Sequence, residues 1–384
     1  MKSLKKLMNE ALVELDLNEN FNSIEQFIKD DEKSAEFIRF MLHDPDYNLP
    51  DPKSALYDFA KARARHSVIT FLAGLALGKF GGLLSELNDI IMPDATESEA
   101  EKIKSKLWLI TSLYHDRAYH SEHLKNGNLN YSTKFKYNLL TDEYEEDALS
   151  GLNAFSKKYV RILAHTYEQI LLYDIYAREY HKDRKRKGET EVEMLDHGIL
   201  GGILVFNKLV SNFLKQPHNE IELLIIKTSC LTIAQHNIYK SDSEEQDEKY
   251  GDALAYLYHD AEFKITAHTP LLLLMSLVDT LECVKKFSKG NNQDNSLETL
   301  TVLSNINIYV DKTRIIVDCS NLHKKTDRSG ELAGRFQQYV DAVIGLEKWT
   351  DFRVENVKNS DIFCITLQDG EVYTDKNLVA AATV

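Results

Sequence analysis

The sequence predicts a mainly helical fold with a small C-terminal α+β part, and three observations carry that reading. Apolar residues recur at three- and four-residue spacing through most of the first 290 positions, the period of amphipathic helices. The connector SKGNNQDNS, 288–296, contains no apolar residue and reads as a domain boundary. Beyond it the helical period gives way to short runs rich in β-branched and aromatic residues.

Each expected element follows from these patterns. Residues 1–54 read as an N-terminal helical segment, 55–296 as the main helical domain and 297–384 as an accessory α+β domain. ALYDFAKARARHSVITFLAGLALGKF, 55–80, is one long helix, stopped where Gly81 and Gly82 follow. A second covers 103–116. A longer helical region, 146–186, repeats Val160, Leu163, Tyr167, Ile170 and Leu171 at helical spacing. Further helices are expected at 193–215, 219–236, 249–262 and 270–288. In the C-terminal part, strands are expected at 306–310, 313–320, 352–357 and 361–368, with a helix at 329–346. Asp311-Lys312 and Asn359-Ser360 supply turns between them.

Bulk composition narrows the function classes. Of the 384 residues, 43% are hydrophobic and 28% charged, an ordinary soluble globular balance. The longest apolar runs, such as Pro270 to Val278, are too short to span a bilayer. The first twenty residues start basic and turn acidic without an apolar core, so no signal peptide is expected. Cys230, Cys283, Cys319 and Cys364 lie far apart and read as reduced thiols, which points to the cytoplasm. A formal charge of −14 argues against coating nucleic acid by phosphate neutralisation. The basic run HKDRKRK, 181–187, reads as the end of a helix, followed by Gly188.

One segment raises a chemical question. LWLITSLYHDRAYH, 107–120, is apolar for most of two turns and then delivers His115 beside Asp116. Imidazole nitrogen and carboxylate oxygen together suit borderline divalent metals. Two other such pairs exist: His43-Asp44 in a proline-rich turn, expected to be exposed, and His259-Asp260 in YLYHDAEF, assigned to structure. His66 lies upstream in ARARHSVITFLAGL, on an otherwise apolar helix. Leaving such a group unsatisfied in a core costs about 1–3 kcal/mol, so it requires a partner. Asp279 interrupts PLLLLMSLVDTLECV, and a carboxylate there needs a partner or a metal. His66, His115, Asp116 and Asp279 thus form a divalent-cation set drawn from three helices.

In that order the chain resembles the HD-domain superfamily of metal-dependent phosphohydrolases. The matching residues are His66 in RHSVITFLAGL, His115-Asp116 in LYHDRAY and Asp279 in LLLLMSLVDTLE. His197 in LDHGILGGILVF and His236 in LTIAQHNIY match the histidines that hold a second metal in some members. The resemblance covers roughly 55–290 and implies a helical HD-type bundle with one or two divalent ions. It also implies that Asp116 bridges two ions, that His66, His115 and Asp279 complete one site, and that His197 with His236 complete the other. Two departures stand: Arg117-Ala118 replaces the Gly-Lys that often follows the pair, and a helical insertion occupies about 120–190.

The implied chemistry is attack on phosphorus by a water activated on the ions. Arg117 is the first candidate for contacting phosphate, ahead of Arg63 and Arg65, and His120 and His123 are candidate proton donors. The expected substrate is a nucleotide or another small phosphoester. Two alternatives are a nucleotide-sensing module on the same scaffold without turnover, and a metal-dependent nuclease, which the acidic charge disfavours. No GxxxxGK[ST] or GxSxG segment occurs. Residues 297–384 are expected to pack on the helical part, cap its cleft or contact a partner, and to carry no catalysis.

Overall fold

The computed structural model describes residues 1–17, 20–54, 57–78, 96–118, 163, 166–167, 170, 196–213, 220–237, 270–282, 296–311, 314–322, 330–350, 352–357 and 360–367. In chain order the elements are β1 (Lys2–Ser3), α1 (Leu4–Glu14), α2 (Ile24–Lys29), α3 (Asp31–Leu42), α4 (Tyr57–Leu77) and α5 (Glu97–Tyr114). Then follow α6 (His197–Phe213), α7 (Glu220–Gln235), α8 (Pro270–Leu281), α9 (Ser296–Asn305), β2 (Asn307–Val310) and β3 (Arg314–Asp318). The last are α10 (Gly330–Trp349), β4 (Phe352–Asn356) and β5 (Ile362–Leu367). The protein is mainly helical, with a small antiparallel sheet built largely from its C-terminal part. The expected helix at 249–262, and most of the one at 146–186, lie outside the described residues.

Two compact units divide the chain: Met1–Pro93 with Tyr258–Val384, and Asp94–Leu257. The expected segment boundaries near 54 and 296 both fall within the residue range of the first unit. In that unit α4 is the central helix, touching α1, α2, α3 and α8. Its middle is apolar on all sides, with Val68, Ile69, Leu72 and Ala73 buried, as expected of a helix surrounded by others. Phe37 meets Phe71 of α4 at 6.0 Å between ring centroids and stacks edge-on against Phe21 and Phe27. Asp30 caps α3, its carboxylate accepting from the amides of Glu32 and Lys33.

The sheet of this unit has the order β1-β2-β3-β5-β4, each neighbouring pair antiparallel. The four strands read from the sequence form within a residue or two of their expected limits. A two-residue strand at the N-terminus joins them, Lys2 opposite Ile308. The helix between β3 and β4, α10, packs on β4 and on α8. Ile315, Val317, Phe363 and Ile365 are fully buried, while Ile316 and Cys364 point to the other face. There they form a small second cluster with Met1, Tyr309, Val357 and Ile362. Apolar residues on both faces explain why these strands read as continuous runs rather than alternations.

In the second unit, α7 packs along both α5 and α6. Leu163, Tyr167 and Ile170 are buried, and Tyr167 meets Phe206 of α6 at 5.6 Å between centroids. Among the described residues no helix is long and apolar enough to cross a membrane. Cys230, Cys319 and Cys364 are buried free thiols. Burial pushes all three thiols up, Cys364 to about 11.

Candidate metal centre

In the second unit the site is assembled at helix ends. Thr96 and Glu99 start α5 with a reciprocal capping box. The helix then buries Leu107, Trp108, Ile110 and Leu113 and stops at Tyr114. His115 is its C-cap, and Arg117 N–H donates to the Tyr114 carbonyl at 2.9 Å, turning the chain. This turn answers the question posed by the apolar segment. His115 keeps helical backbone angles, φ −55° and ψ −41°, the chain turns after it, and both His115 and Asp116 are buried.

α6 begins at His197, and His236 stands immediately beyond the last residue of α7. Their Nε2 atoms are 3.2 Å apart. Asp116 Oδ1 lies 3.1 Å from His197 Nε2, 3.6 Å from His236 Nε2 and 3.7 Å from His115 Nε2. The four side chains are at most 4% exposed. His115 Nδ1 donates to the Ser112 carbonyl at 2.7 Å, and His236 Nδ1 to the Ile233 carbonyl at 2.7 Å. A carbonyl oxygen only accepts, so both Nδ1 atoms carry the proton and both Nε2 atoms present a lone pair inward. Orienting one ring nitrogen on a carbonyl to free the other is how ligand histidines are set.

This donor set passes a test of fit for a divalent ion. With bonds of about 2.0–2.2 Å, neighbouring ligands of one ion sit roughly 3–3.6 Å apart. The separations above fall in or just beyond that range, and Asp116, His197 and His236 offer ligand atoms within 4.8 Å of one another. Three imidazole nitrogens with one carboxylate suit a borderline metal such as Zn, Mn, Fe, Co or Ni.

The first unit carries a different arrangement. His66, in the apolar middle of α4, is 1% exposed. Its Nε2 is 2.8 Å from Asp279 Oδ1, and its Nδ1 is 2.6 Å from Glu282 Oε2. Glu282 follows α8 directly, and its amide still donates to the Val278 carbonyl, so 279 and 282 share one helical face. Glu282 is fully buried and Asp279 partly so. The buried histidine that the sequence required to find a partner has a carboxylate at each ring nitrogen.

The structure thus brings His115, Asp116, His197 and His236 together in the second unit, and His66 with Asp279 in the first. Arg117 is partly buried beside the pair, and Arg63 and Arg65 are partly buried on α4. His120, His123, His259 and Asp260 lie outside the described residues. His43 is exposed, as expected for its turn, but Asp44 is not: it is buried, and its Oδ1 accepts from the Asp46 amide at 3.0 Å. The carboxylate closes the turn locally, which a polar loop composition does not reveal.

Two further site residues are not among the candidates read from the sequence. Glu282 carries a signal, its three-residue spacing from Asp279 in an apolar helix. Asp196 has only its position before His197. Its Oδ1 accepts from the Ile199 amide at 3.0 Å and its Oδ2 accepts from Asn237 Nδ2 at 2.8 Å. No family model, curated protein or solved structure matches the chain.

Proposed function

We propose that the protein is a metal-dependent phosphohydrolase of the HD type, acting on a nucleotide or another small phosphoester. The observation that carries the reading is the convergence of the buried His115, His197 and His236 Nε2 on Asp116 Oδ1, with two of the rings already oriented. Asp116, His115, His197 and His236 would hold one or two divalent ions. A bound divalent ion supplies Lewis acidity toward water and phosphoryl oxygen.

The chain's own residues supply the rest. Asp116 offsets ionic charge and, being buried, keeps a fixed geometry instead of a hydrated one. His115 and His236 hold their rings on backbone carbonyls, so no tautomer has to change when a ligand arrives. Arg117, next to the pair, is placed in sequence to meet a phosphoryl oxygen, and His120 to pass a proton to a leaving group. The acidic net charge favours a small substrate over a nucleic-acid strand.

The test joins metal analysis of purified protein with a phosphate-release screen over nucleotides and simple phosphoesters. Divalent metal in at least equimolar amount, with turnover lost in Asp116→Ala and kept in His259→Ala, supports the proposal. If His259→Ala is inactive and Asp116→Ala is not, the wrong pair has been chosen. A protein that binds a nucleotide yet turns nothing over with Mn, Mg, Fe, Co or Ni is a sensor instead.

A further inference from the structure

His197 and His236 belong to different helices and are 39 residues apart, yet their Nε2 atoms approach to 3.2 Å. Something must hold two helix ends in that relation. The immediate neighbours of both histidines are bonded to each other. Asp196 precedes His197 and Asn237 follows His236, and Asn237 Nδ2 donates to Asp196 Oδ2 at 2.8 Å. The other oxygen of Asp196 accepts from the Ile199 amide in the first turn of α6. One carboxylate therefore fixes the start of α6 and grips the end of α7 simultaneously. Asp196 is only 3% exposed, where a charge-assisted bond is strong and poorly screened.

Gly198 makes the same point independently. A Cβ there would lie 2.9 Å from the Ile233 carbonyl oxygen, 3.0 Å from Asp196 Oδ1 and 3.1 Å from His236 Nδ1. These are the acceptor that orients His236, the latch carboxylate and the oriented ring itself. The missing side chain is what permits the helix ends to meet at this distance.

We propose that Asp196 and Asn237 form a positioning latch that sets the spacing of the His197 and His236 imidazoles for a shared divalent ion. The latch rests on the metal-site reading above for its purpose, though not for its geometry. Neither residue touches the ion. They act through the rings beside them.

The full-length protein tests this with three variants. Asn237→Ala removes the latch and leaves the cap of α6. Asp196→Ser keeps a helix-capping hydroxyl but is too short to reach Asn237. The exchange Asp196→Asn with Asn237→Asp restores the bond with donor and acceptor reversed, since the amide side chain introduced at position 196 can still cap α6 through its carbonyl oxygen.

Two readouts are used: Mn(II) titration, and long-range ¹H–¹⁵N spectra of the histidine rings in metal-free protein. Both single variants should weaken Mn(II) binding about 10–100-fold, the usual effect of losing a residue that orients ligands. They should also shift the His197 and His236 ring signals, and the exchange should recover both. A merely structural contact would lower the melting temperature and leave the ring spectra unchanged. Wild-type ring spectra in both single variants, or an exchange that restores nothing, overturn the latch. If the wild-type protein takes up no Mn(II) or other divalent ion, the metal reading falls, and the ring spectra still decide the latch.

Discussion

The two clusters solve one problem, a buried histidine, in opposite ways. In the first unit His66 sits between two carboxylates, Asp279 at 2.8 Å and Glu282 at 2.6 Å. His66 thus has a carboxylate oxygen beside each of its ring nitrogens. In the second unit three rings face one carboxylate, and two of them have spent their proton on a backbone carbonyl. Imidazole lone pairs beside a carboxylate are the donor types a borderline divalent cation takes. One group is rich in carboxylates around a single ring, the other rich in rings around a single carboxylate.

The largest expected effect breaks the first cluster. Glu282→Ala removes the carboxylate beside His66 Nδ1 in a fully buried place. Breaking a buried pair of this kind typically costs about 3–5 kcal/mol. Denaturant unfolding should show that loss, and Glu282→Gln, which keeps an acceptor, should lose clearly less. Equal losses would mean that charge, not the bond to Nδ1, is what His66 needs.

Metal removal should act on the second cluster in contrast. A ligand that binds only the folded state at about 100 times its Kd stabilises by about 2.7 kcal/mol. Adding a chelator to metal-loaded protein should therefore lower the melting temperature, and Asp116→Ala should erase that dependence. A melting curve that ignores both metal and chelator would place the imidazole cluster among purely structural features.

How much of this is legible in the sequence depends on the range over which each signal acts. α4, α6, α7, α8 and the strands β2 to β5 follow from local period, because each buries a stripe or face of its own residues. His66 and Asp279 stand out because a polar group inside an apolar run must be compensated. β1 carries no local signal: two residues form a strand only because Ile308 and Asn307 lie opposite them. The packing of α1 on α9, and of α9 on β1, is equally long-range, so a polar connector before 296 does not reveal it. α9 itself, SLETLTVLSN, falls outside the expected helices. α5 begins six residues before its expected start, at a Thr96-Glu99 capping box that the apolar period alone does not register. Glu282 and Asp196 escape because their partners are remote in sequence, 216 positions for His66 and Glu282 and 41 for Asp196 and Asn237.

Gly198→Ala sharpens the comparison from the packing side. The added methyl group would meet a main-chain oxygen at 2.9 Å, which cannot swing aside as a flexible side-chain end could. Overpacking of this sort costs about 1–3 kcal/mol. The loss should be accompanied by weaker Mn(II) binding, because the displaced groups include the orienting carbonyl of His236. A stability loss with unchanged affinity would show that the helices absorb the strain away from the rings.

The smallest effect is expected at the opposite cluster, through the C-terminal part. Tyr339 of α10 is fully buried, and its hydroxyl donates to the Leu281 carbonyl at 3.3 Å. Leu281 lies between Asp279 and Glu282, so the C-terminal α+β elements brace the helix end that carries these two carboxylates beside His66. Tyr339→Phe removes one hydrogen bond while keeping the ring, a net cost of about 0.5–1.5 kcal/mol. Measured alone, that loss says little. Measured in a double-mutant cycle with Glu282→Ala, it tells whether α10 acts on the His66 cluster, since residues sharing a network couple by about 0.5–3 kcal/mol and independent ones add. Coupling between Tyr339 and Glu282, with none between Tyr339 and Asp116, would assign residues 297–384 to holding the carboxylate-rich cluster. Strict additivity would reduce them to packing.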